Sequence, residues 1–412
     1  MSPVPVPAIP VLVLLGVFVL NAVRQVGRFR FRIWQAMCIG AAAVLVLGQI
    51  DPLRALRAVN PDVMLFLFGM FVVGEALDRS GYLNSLAFRL FSRARDGREF
   101  ILLVLLAMGS FSAILMNDTI AIIGTPVAIS YACRFGIDPK RALLALCIAV
   151  TTGSVCSPIG NPQNLLIATY GGLPQPFSTF FAFLALPTLV NLAVAYIFLT
   201  RGMRKDEYRC TFDGSEGRVK DRDLARIARL SLILIVTLIA ARNAIGHDLF
   251  SLSLIALAGA LPVLLLSRER LAIVRNIDWP TLAFFAAMFV LMQSVYDTGF
   301  FQSGIDFGAV TSVPLLLGTS VVMSQFISNV PFIALFLPLM GGNGMPVRSL
   351  MALAAGSTIA GNLTVLGAAS NVIVIENAER RGYTLTFWEF LRVGAPLTAA
   401  QVLVYWAFLS WF

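Results

Sequence analysis

The chain has 412 residues, of which 58% are hydrophobic and 13% charged, and its formal net charge is +9. This small share of charged residues cannot cover the surface of a water-soluble globule. The composition therefore predicts an all-α polytopic membrane protein. The positive charge does not indicate a nucleic-acid-binding protein, because the arginines occupy short loops between apolar runs and form no basic domain.

Apolar runs long enough to cross a hydrocarbon core of about 30 Å predict about ten transmembrane helices. They lie near 9–22, 33–50, 61–79, 140–169, 178–200, 227–245, 249–267, 280–298, 348–375 and 390–412. The first run has no basic residue before it, which favours a retained span over a cleaved signal peptide.

Two further apolar regions, 99–133 and 306–341, are interrupted halfway along by polar residues. The interruptions are Asn117-Asp118-Thr119 and Ser328-Asn329-Val330-Pro331. Each region predicts a re-entrant hairpin of two short helices, since non-helical backbone survives at membrane depth only where protein or a wet cavity surrounds it.

The loop arginines predict the orientation, because cytoplasmic loops are rich in arginine and lysine. Most loop arginines face the cytoplasm if the first hairpin opens inward, and both termini are then external. Arg54, Arg57 and Arg348 are exceptions. The polar linker around Asp206 to Asp223 divides the chain into halves.

The two halves resemble each other in sequence. Met70-Phe71-Val72 recurs as Met288-Phe289-Val290, and a proline follows nine residues after both Asn117 and Asn329. Because the charges give the two copies opposite directions, the repeats are predicted to be inverted, the geometry of alternating access. The predicted organisation is scaffold helices at 1–50, repeat 1 at 51–201 with an inward-opening hairpin 99–133 and a broken helix 140–169, a cytoplasmic linker at 202–226, and repeat 2 at 227–412 with an outward-opening hairpin 306–341 and a broken helix 348–375.

The broken helices are predicted from helix-breaking and amide residues inside two apolar runs, 157–164 and 361–371. A helix that stops in the membrane leaves free N–H and C=O groups, which an anion or a cation can satisfy. The predicted solute-binding residues are Asn117, Thr119, Ser157, Asn161, Asn164, Ser328, Asn329, Thr364, Ser370 and Asn371. The predicted coupling-ion residues are Asn117, Asp118, Gly160, Asn329 and Gly367.

A simpler interpretation is that these interruptions are kinks and interhelical hydrogen bonds, which are common in membrane bundles. Four of them in a two-fold repeat favour a binding site. Asp118 at the first tip either couples transport to a proton or sodium ion or caps the following helix. Glu75, within a predicted span, either bonds between helices or takes part in proton movement.

No catalytic or metal site is indicated. The chain lacks HExxH and GxSxG motifs, and its single histidine, His247, lies in a predicted external loop. The five cysteines show no CxxC pair, so neither a disulfide framework nor a metal site is expected, and Cys156 is interpreted as a packing residue rather than a metalloid ligand. No cofactor is predicted except a bound Na⁺.

The four interruptions resemble those of the ion transporter superfamily, which includes arsenite permeases, citrate-transporter-like permeases and divalent anion:sodium symporters. The resemblance covers nearly all of the chain beyond the first fifty residues and is strongest with the poorly characterised bacterial anion-permease branch. It implies a scaffold, a moving transport domain and a homodimer. It further implies one half-site from Asn117 and 157–161 and another from Asn329 and 364–371.

The chain departs from the Ser-Asn-Thr tips of the dicarboxylate symporters, since its tips read Asn117-Asp118-Thr119 and Ser328-Asn329-Val330. The first tip is similar to that of arsenite permeases. The leading hypothesis is therefore a sodium- or proton-coupled secondary transporter of a small anion or oxyanion in the bacterial inner membrane. An arsenite efflux permease, a sodium/proton antiporter and a passive anion channel are the alternatives.

Overall fold

The computed structural model describes residues 8–23, 25–26, 29–30, 32–203, 218–245, 251–300, 312–340 and 344–411. Within these ranges the chain is helical except for loops and two paired strands of two residues each, Gln25–Val26 and Phe29–Arg30. The predicted fold class, an all-α polytopic membrane protein, is confirmed. Three predictions fall wholly or partly outside the described residues: the loop position of His247, most of the linker, and the start of the second hairpin.

The first half contains eleven helices among the described residues. They are α1 (Ala8–Val23), α2 (Ile33–Val46), α3 (Pro52–Ala58), α4 (Pro61–Arg79), α5 (Tyr82–Phe91), α6 (Gly97–Leu103), α7 (Gly109–Ile114), α8 (Asn117–Arg134), α9 (Pro139–Gly153), α10 (Pro162–Tyr170) and α11 (Pro176–Thr200). A π-helical turn, Val104–Met108, joins α6 to α7, and a 3-10 turn, Ser154–Cys156, follows α9.

The second half repeats much of this order. Its described helices are α12 (Arg222–Ile245), α13 (Leu252–Leu266), α14 (Arg270–Asn276), α15 (Trp279–Asp297), α16 (Val313–Ile327), α17 (Asn329–Leu339), α18 (Val347–Ile359), α19 (Ala369–Glu379) and α20 (Phe387–Trp411). Two 3-10 turns, Ala360–Asn362 and Val365–Gly367, separate α18 from α19. A hairpin, a broken helix and a long closing helix therefore follow one another in both halves.

Six stretches of the described residues are helical, long and apolar enough to cross a membrane. A seventh arises if α3 and α4, which meet at a bend of 55°, form one span. Each of these two helices has a proline in its first turn and a capping side chain, Asp51 for α3 and Asn60 for α4. Prolines and caps of this kind start a new helix rather than continue an old one.

The halves interlock rather than standing side by side. Helix α4 packs on α13 and α12, while α15 packs on α2 and α3, so one group of helices is drawn from both halves. In a second group, α8 packs on α19 and α10 on α17. This second group holds both hairpins and both broken helices.

The two long helices of the first group, α4 and α15, each end in a charged residue that pairs with a short helix or the residue just before one. Arg79, the last residue of α4, contacts Glu269 just before α14, with an Nη2 to Oε2 distance of 2.7 Å. Asp297, the last residue of α15, contacts Arg54 of α3, with a distance of 2.8 Å from Oδ1 to Nη2. In the first half the long helix supplies the arginine, and in the second half it supplies the aspartate. Each pair links one long helix to the short helix before the other one: α4 to α14, which precedes α15, and α15 to α3, which precedes α4.

Candidate functional site

The tip of the first hairpin lies against the first helix break. Helix α7 ends at Ile114 and α8 begins at Asn117, whose backbone N–H donates to the carbonyl of Gly160 over 2.9 Å. The Asn117 side chain is 6% exposed and its Oδ1 has no hydrogen-bond partner. Since buried polar atoms are normally paired, this oxygen is a candidate ligand for an ion or solute.

The first break is held together by its own amide side chains. Asn161 caps α10, since its Oδ1 accepts from the backbone N–H of Asn164 over 2.9 Å. The Nδ2 of Asn164 donates to the carbonyls of Ser154, Val155 and Ser157 over 3.0 to 3.2 Å. One side chain thus satisfies three carbonyls that the interrupted helix leaves without a donor.

A threonine from the other half completes the first break. The Oγ1 of Thr358, on α18, accepts from Asn161 Nδ2 and Gln163 Nε2 and donates to Asn164 Oδ1, over 3.3 to 3.4 Å. All four side chains are at most 4% exposed. The first break is therefore a closed hydrogen-bond network that spans both halves of the chain.

The second break is less completely bonded. The Nδ2 of Asn371 donates to the carbonyls of Gly361 and Thr364, over 2.6 and 3.4 Å. The Oδ1 of Asn371 and the Oγ of Ser370 have no partner, although both residues are fully buried. Residue 368, which precedes α19, is alanine and cannot cap the helix.

Gln325 joins the second hairpin to the second break. Its Nε2 donates to the carbonyl of Ala360 over 2.8 Å, and its Oε1 accepts from the hydroxyl of Thr364 over 2.9 Å. Gln325 lies one turn before the tip, where the first hairpin has Ala113. The predicted solute ligand Thr364 therefore bonds to a side chain that the sequence interpretation missed.

The tip of the second hairpin has a strained backbone. Ser328 has φ 72° and ψ 152°. Among the described residues it is the only non-glycine with a positive φ. Such a conformation costs on the order of 1–3 kcal/mol and is found most often at binding sites. The next residue, Asn329, is 6% exposed, and its Oδ1 has no partner. Asn117 at the first tip has the same feature.

The helices that start at the tips and breaks run in parallel pairs. The ends of α8 and α19 meet, because the Cys133 Sγ lies 3.8 Å from the Tyr383 hydroxyl. The ends of α10 and α17 meet as well, because Tyr170 and Pro338 line one cavity. The two helices of each pair pack together. Their N-termini, which carry partial positive charge, therefore lie side by side within each pair.

Thr119 and Asp118 follow the first tip in different surroundings. A Cβ at Gly74 of α4 would lie 2.9 Å from the Thr119 hydroxyl, so glycine there allows the tip to approach α4. Asp118 is partly exposed and forms no hydrogen bond or ion pair with the described residues. Its side chain is therefore not the cap of its own helix.

Glu75 lies outside the hairpin tips and helix breaks. It pairs with Arg79 over 3.8 Å and lines a cavity of about 460 Å³ with Asp78, Lys220 and Glu269. The cavity is at the end of α4. Glu75 is thus part of an ion-pair cluster, and its partner Arg79 lies on the same helix, α4.

A second buried polar cluster was not predicted. Thr152 accepts hydrogen bonds from Asn362 and from Gln401 of α20, over 2.9 and 3.0 Å, and Asn362 also donates to Gln401. All three residues are fully buried. The sequence feature that indicates this cluster is the presence of polar residues, Thr152, Asn362 and Gln401, inside apolar runs.

The described cysteines are mostly free. Cys38, Cys147 and Cys156 are free, but Cys133 is disulfide-bonded. The expectation was that the cysteines form no disulfide framework, and the one disulfide-bonded cysteine among the described residues, Cys133, does not make one. Within the described residues no three histidine, cysteine, aspartate or glutamate side chains form a metal-binding group.

Comparison with known proteins decides the family. A model described as the citrate transporter family, CitMHS, matches residues 16–345 of this chain. The chain belongs to this family. An uncharacterised transporter of Mycobacterium tuberculosis strain H37Rv is 30% identical over 393 residues, which cover 88% of this chain and 90% of that protein. This citrate transporter family member is a multi-pass membrane transporter of the bacterial cell membrane.

More distant proteins share the sequence or the fold. The human P protein is 23% identical over 460 residues, covering 88% of this chain and 55% of that protein. The YdaH transporter of Alcanivorax borkumensis has a TM-score of 0.61 at 15% identity, over 97% of this chain and 96% of that chain. Neisseria gonorrhoeae MtrF, described as one of a class of antimetabolite efflux pumps, has a TM-score of 0.55 at 14% identity, over 99% of this chain and 95% of that chain. At these identities the two solved structures show a shared fold alone and nothing about the solute.

Proposed function

We propose that the chain is a secondary active transporter of a small carboxylate-like anion or oxyanion, coupled to sodium or protons, which works by alternating access. The observation that carries the proposal is the pair of buried, unpartnered side-chain oxygens at the two hairpin tips, Asn117 Oδ1 and Asn329 Oδ1. Each stands beside the N-terminus of a helix inside a membrane transporter. The site thus offers oxygen ligands for a cation and amide donors for an anion.

The ion and the solute would use different atoms of the same region. Oxygen ligands from Asn117, Asn329 and the carbonyls at Gly160 and Gly367 suit sodium, which prefers oxygen donors. The N-termini of the broken helices suit an anion. The family description names citrate, which agrees with a carboxylate solute. The scaffold, the moving group of helices and a homodimer remain parts of this proposal.

The test is Asn117→Ala and Asn329→Ala in the full-length protein, reconstituted in liposomes. Uptake of labelled lactate, succinate and citrate is measured under an inward sodium gradient and under a pH gradient. We expect each variant to lose at least about tenfold in gradient-driven uptake, because removing a ligand from a dehydrated ion costs several kcal/mol. Asn84→Ala is the matched control, since Asn84 is 5% exposed and its Oδ1 is also unpartnered, but it lies on α5. Unimpaired uptake by both tip variants at normal expression would refute the assignment.

Asp118 supports one alternative, a sodium/proton antiporter. It is an acidic side chain at the first tip that has no hydrogen-bond or ion-pair partner among the described residues, and it follows Asn117, whose Oδ1 is unpartnered. Intramembrane carboxylates of this kind commonly carry protons or ions. Asp118→Asn should then abolish sodium-dependent proton movement in inverted vesicles. Exchange at the wild-type rate in this variant would exclude that role.

A further inference from the structure

We infer that the cavity between α15 and the ends of α10 and α17 is the external route by which the solute reaches the hairpin tips, and that Met292 sets the width of this route. The inference rests on the proposed function and adds to it an entry path and a residue that selects solutes by size. It comes from a difference between the two repeats at equivalent positions of α4 and α15.

The cavity has a volume of about 280 Å³ and lies between the two groups of helices. One wall is formed by α15 and α3 of the first group, and the other by α10 and α17 of the second group. Of its twelve lining residues, Gln293, Tyr170 and Tyr296 carry polar groups, and none of the twelve is charged. Pockets that bury drug-sized ligands start at roughly 300 Å³, so a small organic anion fits in this cavity. Any shift of one group of helices along the other would change its width.

The cavity extends from the neighbourhood of the hairpin tips to the surface. Its inner end is lined by Leu166 and Ile333, which are at most 1% exposed. Ile333 lies about one helical turn after the second tip at Asn329, and Leu166 lies about one turn after the first break. The outer end is lined by Tyr170 and Tyr296, which are 38% and 40% exposed. The cavity therefore leads from the surface to within about one turn of the proposed site.

The loop charges predict that the outer end faces the outside of the cell. Helix α15 follows the arginines at 268–275, which are predicted to be cytoplasmic, so its far end at Tyr296 is external. The second hairpin is predicted to open outward, so α17 ends on the same side. In this orientation the cavity is a route from the external solution.

The equivalent position in the first repeat is closed. The match of Met70-Phe71-Val72 with Met288-Phe289-Val290 makes Gly74 the counterpart of Met292. A Cβ at Gly74 would lie 2.9 Å from the Thr119 hydroxyl oxygen, so α4 is in contact with the first tip. At Met292, by contrast, α15 borders the cavity. One repeat is therefore closed beside its tip while the other is open, as alternating access requires of any single state.

Met292 is the residue that narrows the route. It is 5% exposed and lies about one turn further in than Tyr296 at the mouth. A methionine side chain is unbranched and adaptable, so it can fill a passage in one rotamer and leave it in another. Narrow apolar passages resist charged solutes because water leaves them easily. Its neighbour Gln293 is held by Asp297, to which its Nε2 donates over 2.8 Å, so the size of residue 292 is expected to control entry.

The first measurement is the accessibility of a thiol placed in the cavity of the full-length protein. Ala334, a half-buried residue of the α17 wall, is changed to cysteine, and a membrane-impermeant maleimide is added to right-side-out or to inverted membrane vesicles. We expect Ala334→Cys to react at least about tenfold faster in right-side-out vesicles, because the route opens outward. Ala286→Cys is the matched control, since Ala286 is half-buried on α15 but does not line the cavity. The unmodified protein gives the background labelling of its own free cysteines.

The second measurement changes the width of the route. Met292→Trp is combined with Ala334→Cys, and we expect labelling from outside to slow by at least about tenfold, because the larger ring fills an apolar passage. Uptake of labelled citrate and succinate by Met292→Trp should fall with it. Met292→Ala, which cannot fill the route, should leave labelling at least as fast as in Ala334→Cys alone. Met323→Trp is the control, because Met323 is 37% exposed on α16, and the melting temperature in detergent shows whether each variant is folded.

The outcomes separate this inference from the proposed function. Labelling from outside that Met292→Trp slows and Met323→Trp does not slow supports the inference. Labelling from the cytoplasmic side alone, or from neither side, overturns the route. Outside labelling that a folded Met292→Trp protein leaves unchanged overturns the role of Met292. The labelling needs no transported solute, so failure of the proposed function shows separately, as unimpaired uptake by Asn117→Ala and Asn329→Ala.

Discussion

Gly153→Ala is expected to destabilise the protein by about 3 kcal/mol, the upper end of the usual cost of overpacking. A Cβ at Gly153 would overlap the Cα, carbonyl carbon and carbonyl oxygen of Gly109. All three are backbone atoms, so no side chain can rotate away to make room. Helices α7 and α9 would have to separate where the first hairpin meets the first broken helix.

Melting temperature in detergent, followed by the loss of the monodisperse peak in size-exclusion chromatography, measures this effect. Gly318→Ala is the control, because no atom lies within 4 Å of a Cβ built there. Gly109→Ala should be milder than Gly153→Ala, because its Cβ would be 3.3 Å from the Ala149 carbonyl oxygen. A Gly153→Ala protein that melts like the wild type would show that this helix contact is looser than the structure indicates.

The positions of the breaks were predictable because local chemistry determines them. Proline, glycine and amide residues inside apolar runs interrupt helical hydrogen bonding wherever they occur. The structure has helix starts at Asn117 and Asn329 and interrupts the two helices at 154–161 and 360–368, which overlap the interruptions at 157–164 and 361–371 read from the sequence. The cap of α10 by Asn161 also follows from a local pattern, an asparagine directly before a proline.

Contacts between the halves could not be predicted from local patterns. Thr358 bonds to Asn164 across 194 residues, and nothing near Thr358 in the sequence indicates it. The same holds for Gln401, which bonds to Thr152 across 249 residues. Such pairs depend on how α18 packs on α10 and how α20 packs on α9, and packing is a property of the whole fold.

The bend between α3 and α4 was missed for a different reason. The apolar run at 61–79 was predicted as a span and is helix α4. The residues before it form a separate short helix, Pro52–Ala58, which contains two leucines, two alanines and one proline. Arg54 and Arg57 on this helix were exceptions to the charge rule. Arg54 has a specific partner instead, because its guanidinium contacts Asp297.

The two tips and the two breaks also differ in what remains open for a ligand. At the first break nearly every amide atom is bonded, whereas at the second break the oxygens of Ser370, Asn371 and Asn362 have no partner. An internal repeat in sequence thus does not imply two equal half-sites. The replacement of Asn161 and Gln163 by Ala368 and Ser370 is visible in the sequence, but its consequence depends on the threonine that the other half supplies.

Asn164→Leu is expected to destabilise the protein by about 3 kcal/mol or more, even though leucine has a similar volume. The variant removes the donor for three buried carbonyls and the acceptor for the Thr358 hydroxyl. Each buried polar group left without a partner costs on the order of 1–3 kcal/mol. The side chain is fully buried, so water cannot replace the lost bonds without opening the break.

The measurement must separate this structural role from the predicted role of Asn164 as a solute ligand. Melting temperature and labelled-anion uptake are therefore recorded on the same preparations, with Asn276→Leu as the control, since Asn276 bonds to the Ala272 carbonyl on an exposed face of α14. We expect uptake per folded molecule to fall together with the melting temperature. If uptake disappears while the melting temperature stays at the wild-type value, Asn164 contacts the solute directly, and the bonds that now close the first break must open during transport.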